Sequence, residues 1–167
     1  MTTENPYVPP RAALADSREA TQPVRIFAVS GRIGRARYIA YGLGLPVLFM
    51  ALAGVAAAVM GETIGGVVTI IAWVGIVVVS LMLTIQRCHD FDTTGWLAIL
   101  GLIPLVNLIF WFIPGTDGPN RFGAKTPPNS VLVLIVVWLF PALFIAGIVA
   151  AVAIPAYSDY VKRAQQR

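Results

Sequence analysis

The chain has 167 residues, of which 57% are hydrophobic and only 12% charged, and it carries a net charge of +4. A soluble domain of this size holds about 25% charged residues, so the composition excludes an ordinary water-soluble core and points to an integral membrane protein. A single cysteine, Cys88, excludes an internal disulfide.

The charge deficit is localised. Between Tyr38 and Gln86 the only charge is Glu62, and none falls in Trp96–Ile113 or Val131–Ser158. A spanning helix needs about 20 apolar residues, so three or four membrane segments are expected. Residues 1–24, with Pro6, Pro9, Pro10 and Pro23, read as a disordered cytoplasmic tail without the apolar core of a signal peptide. Within it, Asn5 to Pro10 has the form of a polyproline docking motif or of a plain linker. Arg11, Arg18, Arg25, Arg32, Arg35 and Arg37 all precede the first apolar run. Basic clusters beside a span favour the cytoplasmic side and anionic headgroups. They abut a bilayer rather than a nucleic-acid module, so membrane lipids, not nucleic acid, are the expected partner.

Ser30 is a candidate helix N-cap, after which Arg32 and Arg35 would share a face. The first span is expected over about Tyr38–Met60. Gly54 and Ala58 in it form a small-xxx-small pair suited to close helix contact. Gly61–Gly66 reads as a turn and Val67–Ile85 as the second span. Gln86–Trp96 is the most polar internal stretch and reads as a juxtamembrane loop. Trp96–Ile113 is short for a span and is interrupted by Pro104 and Asn107. Pro114–Asn129 is turn-rich. Val131–Ile154 is the last span, with Ala142, Ala146, Gly147, Ala150 and Ala151 as a small-residue face. The fold class is therefore all-α integral membrane: three full transmembrane helices plus a short Pro-kinked third segment, either a re-entrant hairpin or a fourth span. The expected units are the tail 1–24, a membrane core 25–129, and a terminal helix with its polar tail, 130–167.

Three separated pieces carry a resemblance. They are Ser30-Gly31-Arg32-Ile33-Gly34-Arg35, then Arg87-Cys88-His89-Asp90 followed by Gly95-Trp96, then Gly118-Pro119-Asn120-Arg121-Phe122-Gly123. In this order the chain resembles the bacterial inner-membrane family catalogued as domain of unknown function 805, over about residues 26–128. Thr94 stands where that family usually has Ser. The resemblance implies an inner-membrane location and no assigned activity.

The closing stretch, Ala146 to Gln165, resembles the exit of the type IV pilin N-terminal helix. It departs from pilins where processing would occur. Val133 and Leu134 stand in place of the cleavage-site Gly and Phe-like residue, and Trp138 in place of the early acidic residue. No pilin head is expected after it. The likeness implies a pilin-like helix on an unrelated core, not a pilin subunit.

Topology follows from the third segment. If it spans, the polar tail returns to the side of the arginines, with ten basic residues inside and two outside. If it re-enters, the tail exits on the far side, and the division is nine and three. Charge does not decide. Pro104, Asn107 and the pilin-like orientation favour re-entry.

Cys88, His89, Asp90 and Asp92 include the residue types of thiol or metal chemistry. Adjacent helical side chains point about 100° apart, and one Cys with one His cannot supply a structural zinc site. The expectation is instead that Asp90 or Asp92 pairs with Arg32, Arg35 or Arg121 and ties one membrane face together. No cofactor, metal or catalytic residue is expected, and the spans hold no ionisable group for coupled transport. Candidate headgroup or partner contacts are Arg32, Arg35, Arg87, His89, Asp90, Asn120 and Arg121. Candidate helix contacts are Ala142, Ala146, Gly147, Ala150, Ala151, Tyr157 and Tyr160. The leading function is a non-enzymatic inner-membrane protein that contacts other membrane helices laterally, with pilins or pilus-assembly proteins as partners and self-association as a further outcome. The alternative is a small channel, lipid-handling or solute-transport protein.

Overall fold

The computed structural model describes residues 21–166. The expected tail lies outside them except for residues 21–24, and the Asn5–Pro10 stretch lies wholly outside. Four α-helices and one 3₁₀ segment follow in order: α1 (Arg35–Met60), α2 (Glu62–Asp90), the 3₁₀ segment (Gly95–Leu102), α3 (Pro104–Phe112) and α4 (Val131–Gln165). The described residues hold no strand, only an isolated bridge between Asn120 and Gly123.

Helices α1, α2 and α4 are long and apolar enough to cross a membrane. At 1.5 Å per residue they measure about 39, 43 and 52 Å. Their outward side chains are bare. Val55, Val59, Ile70, Val74, Phe144 and Val152 are all exposed, as suits a surface solvated by lipid rather than water.

Helices α1 and α2 form an antiparallel hairpin that turns at Gly61 alone, not over Gly61–Gly66. A buried stripe of Gly65, Ala72, Ile76, Val79 and Leu83 on α2 faces α1. The closest approach is at Gly65, where an added Cβ would lie 2.4 Å from the Ala57 Cα. The expected pair Gly54 and Ala58 is not at this interface. Both are exposed, and a Cβ at Gly54 would meet nothing within 4 Å. The buried register runs one residue earlier, through Ala53 and Ala57.

The third segment is a hairpin and does not cross the bundle. Gly95 lies beside Ile85 and His89, and Gly101 beside Thr84. From the level of His89 to that of Thr84 the chain has moved at most about 7.5 Å back along α2. It bends at Ile103, Pro104 takes the first helical position of α3, where its missing N–H is harmless, and α3 returns to the level of Arg87. Asn107 holds the bend. Its Nδ2 donates to the Gly101 carbonyl at 2.8 Å, while its Oδ1 accepts from Trp111 Nε1 at 3.1 Å and from the Tyr38 hydroxyl at 3.2 Å.

Helix α4 starts at the polar end. The Ser130 side chain caps it by accepting from the Val133 N–H. Arg37 donates to the carbonyls of Pro127 and Pro128, both at 2.7 Å, so α4 begins beside the start of α1. It runs parallel to α1, with Val136 beside Gly44, and ends away from the polar end. It is one continuous helix through Pro155 to Gln165. Beyond Val133 none of its residues is buried.

Candidate functional site

Five pieces of chain meet at one end of the bundle: residues 21–34, the start of α1, the last turn of α2, both ends of the hairpin, and the loop 113–129. The expected loop at Gln86–Asp90 is instead the end of α2, because no helix breaker precedes Phe91 and Asp92 takes a positive φ of 58°. Every residue from Gln86 to Asp90 is buried.

Asp90 is the centre. Its Oδ1 accepts from Arg32 Nε at 3.2 Å and Arg32 Nη2 at 3.1 Å, and its Oδ2 accepts from Arg87 Nη1. Both guanidinium side chains are 0% exposed and the carboxylate 6%. Arg32 also donates to the carbonyls of Thr116 at 2.8 Å, Gly118 at 2.7 Å and Gly123 at 3.3 Å. Arg87 donates to Phe110 O at 3.0 Å and to Ile113 O. One carboxylate therefore ties residue 32, the end of α2, the hairpin and the 113–123 loop into a single unit. Charged groups are buried only when paired and hydrogen-bonded, and these are both. Gly123 reaches its position with a φ of +122°, which side-chain-bearing residues rarely adopt.

His89 faces the other way. Its Nδ1 lies 3.0 Å from the Gly31 carbonyl, and its ring stacks on Phe122 at 3.8 Å with an 8° interplanar angle. Asn120 donates from Nδ2 to the His89 carbonyl at 2.8 Å and accepts from the Phe122 N–H at 2.9 Å. Arg121 pairs with Asp92 at 3.2 Å on the exposed surface. The expectation of arginine–aspartate pairing across this face is met twice, by Arg32–Asp90 and Arg121–Asp92.

Arg32 and Arg35 do not share a helix face. The helix begins at Arg35 with Gly34, not Ser30, at its N-cap. Arg32 therefore lies in the preceding segment with every guanidinium N–H engaged, and has no donor left for a headgroup. Arg35 is exposed. Arg87 and Asp90 are likewise internal. The candidate contacts thus divide: Arg32, Arg87, His89, Asp90 and Asn120 assemble the face, while Arg35 and Arg121 stand at its surface. Ala142, Ala146, Gly147, Ala151, Tyr157 and Tyr160 are exposed and Ala150 half-buried, all on α4 and remote from this cluster.

Sequence reasoning missed three contributors. Gln86 donates to the carbonyls of Arg25, at 2.9 Å, and Ala28. Thr116 donates to the Asp90 carbonyl through both its N–H, at 2.8 Å, and its hydroxyl, at 3.1 Å. Arg37 anchors α4. Each acts on backbone carbonyls distant in sequence, for which no local motif exists. No group of three His, Cys, Asp or Glu side chains among the described residues could hold a metal.

The family model "Protein of unknown function (DUF805)" matches residues 26–124. That range holds Arg32, Arg87, His89, Asp90, Thr116, Asn120 and Arg121 and stops before α4. The inner membrane protein YhaI of Escherichia coli K12 is 45% identical over 47 residues, 26% of this chain and 40% of that protein, and its counterpart in E. coli O157:H7 matches equally. The chain thus aligns with less than half the length of these curated relatives. No solved structure matches. With three helices able to span, the chain is a multi-pass inner-membrane protein, and since the match covers more than half of its length, it belongs to the DUF805 family of proteins of unknown function.

Proposed function

We propose that this chain is a non-enzymatic membrane protein that docks other membrane helices against α4. The observation that carries this is the outer half of α4. From Pro141 onward it extends past the family core with no buried residue, and a Cβ at Gly147 would meet nothing within 4 Å. In a bilayer, helices associate by close packing of small residues. Ala142, Ala146, Gly147, Ala150 and Ala151 supply such a surface. The pilin-like exit around Tyr157 and Tyr160 makes a pilin-type helix the first partner to try.

The polar cluster supports a structural role. Asp90 bridges two guanidiniums, the His89 ring is stacked and bonded at Nδ1, and Cys88 is fully buried. Both Asp90 oxygens are taken by guanidiniums, so the carboxylate has none left to act as a base.

The test is site-specific photocrosslinking from positions 147 and 157 in cells of the source bacterium. Discrete adducts with a membrane protein are expected, and they should weaken when Gly147 is replaced by Leu. Adducts with lipid only would remove the reading. Adducts with a copy of the same chain would make it a homo-oligomer.

A further inference from the structure

Two spaces lie along one face of α1, the first between its start and the 114–129 loop, the second where it meets α3 and α4. The first is a polar cavity of about 490 Å³ at the bundle's polar end, lined by Arg35, Asp90, Asp117, Lys125 and the 126–129 backbone among others. The second is an apolar groove of about 360 Å³, lined by Ile39, Leu43, Trp111, Val137, Pro141 and Phe144 among others. Arg35, Ile39 and Leu43 are spaced four apart and so share one face of α1. The same stripe of helix passes from the cavity into the groove.

The charges in the cavity are unbalanced. Both oxygens of Asp90 are occupied by Arg32 and Arg87. Asp117 is paired with Lys125 at 3.2 Å. Arg35 has no ion pair or side-chain hydrogen bond among the described residues, and it stands where apolar helix surface gives way to polar loops. The cavity with its immediate partners therefore carries four cations against two carboxylates.

We infer that these two spaces bind one anionic phospholipid, its phosphate at Arg35 and Lys125 and one acyl chain in the Ile39–Phe144 groove. The dimensions agree. From Arg35 to Leu43 the helix rises about 12 Å, close to the roughly 15 Å depth of one leaflet's hydrocarbon. The guanidinium of Arg35 offers paired donors suited to phosphate oxygens, and the groove removes a chain from disordered lipid without burying a polar group. The inference does not rest on helix docking at α4's outer half: the groove shares Pro141 and Phe144 with it, but Arg35, Ile39, Leu43 and Lys125 lie off that helix, and the variants below are made there.

The experiment is native mass spectrometry of the detergent-purified full chain titrated with phosphatidylglycerol. Wild type should retain one lipid per chain, and inorganic phosphate at equal concentration should not displace it. Arg35→Gln should weaken retention about tenfold, the scale of one lost charge-assisted interaction, and Arg35→Lys should retain most of it. Leu43→Trp, which fills the groove and keeps Arg35, should also weaken it. Unfolding midpoints without lipid, equal to wild type, would show that these variants are folded, and any variant that fails this is replaced by Ile39→Trp. Equal retention by wild type and Arg35→Gln, equal binding of an uncharged monoacylglycerol, full displacement by inorganic phosphate, or a second copy of the chain occupying the groove would each overturn the inference.

Discussion

Replacing Asp90 by Asn keeps its shape and removes the only carboxylate between two guanidiniums that are each 0% exposed. Breaking a buried ion pair costs about 3–5 kcal/mol, because a charge is left without compensation. Here two charges are left. They are not abandoned entirely, since Arg32 keeps the carbonyls of Thr116, Gly118 and Gly123, and Arg87 keeps those of Phe110 and Ile113. The lower end of that range is therefore expected, about 3 kcal/mol, or roughly 150-fold in the folding equilibrium. Denaturing-detergent titration followed by tryptophan fluorescence reports it, since Trp96 and Trp111 sit on the hairpin that the cluster holds. Arg32→Gln in the Asp90→Asn background should recover part of the loss, because it removes one of the stranded charges. An Asp90→Asn variant within 0.5 kcal/mol of wild type, or a double variant whose loss equals the sum of the singles, would refute the reasoning.

Gly65→Val should destabilise the α1–α2 hairpin by about 3 kcal/mol or more, since its Cβ meets Ala57 backbone. Gly54→Val, in open space, should stay within about 0.5 kcal/mol in the same titration. Asn107→Leu leaves the Gly101 carbonyl and the Trp111 N–H without this partner, while the Tyr38 hydroxyl keeps Thr84. It should cost about 1–3 kcal/mol and appear first as faster hydrogen exchange over residues 95–112, whereas unchanged exchange there would contradict the role given to Asn107. Arg121→Ala removes an ion pair whose side chains are 56% and 45% exposed, so a loss below about 1 kcal/mol is expected. A larger one would mean that Arg121 belongs to the cluster.

The three long helices were legible because uncharged runs of this length have no other stable placement. The bend was legible in one residue, Pro104, which cannot continue a helix from the preceding segment. What sequence could not show was which arginine goes inside. Arg32 and Arg35 look equivalent until the helix is known to begin at Arg35 rather than after Ser30. That boundary is set by distant bonds, the Ile33 N–H to Gln86 O at 3.2 Å and the Arg32 guanidinium to three loop carbonyls. The Gly54 register failed for a similar reason. A small-xxx-small pair states that close contact is permitted, and only the partner helix decides whether Ala53 and Ala57 or Gly54 and Ala58 take it. The arginine–aspartate pairing was legible as chemistry, but Asp90's double occupancy rests on α2 continuing to Asp90, which places Arg87 and Asp90 three residues apart on one turn.

The central claim is that the third segment turns back, so that the 113–129 loop and the end of α4 lie on opposite sides of the membrane. Cysteines at Asp117, fully exposed, and at Gln166 test it with an impermeant thiol reagent in intact cells and in inverted vesicles. Native Cys88, 0% exposed, stays unlabelled in both. The account predicts that one of the two positions labels in cells and the other only in inverted vesicles. Labelling of both from the same side would mean that residues 95–113 cross the membrane and would contradict it.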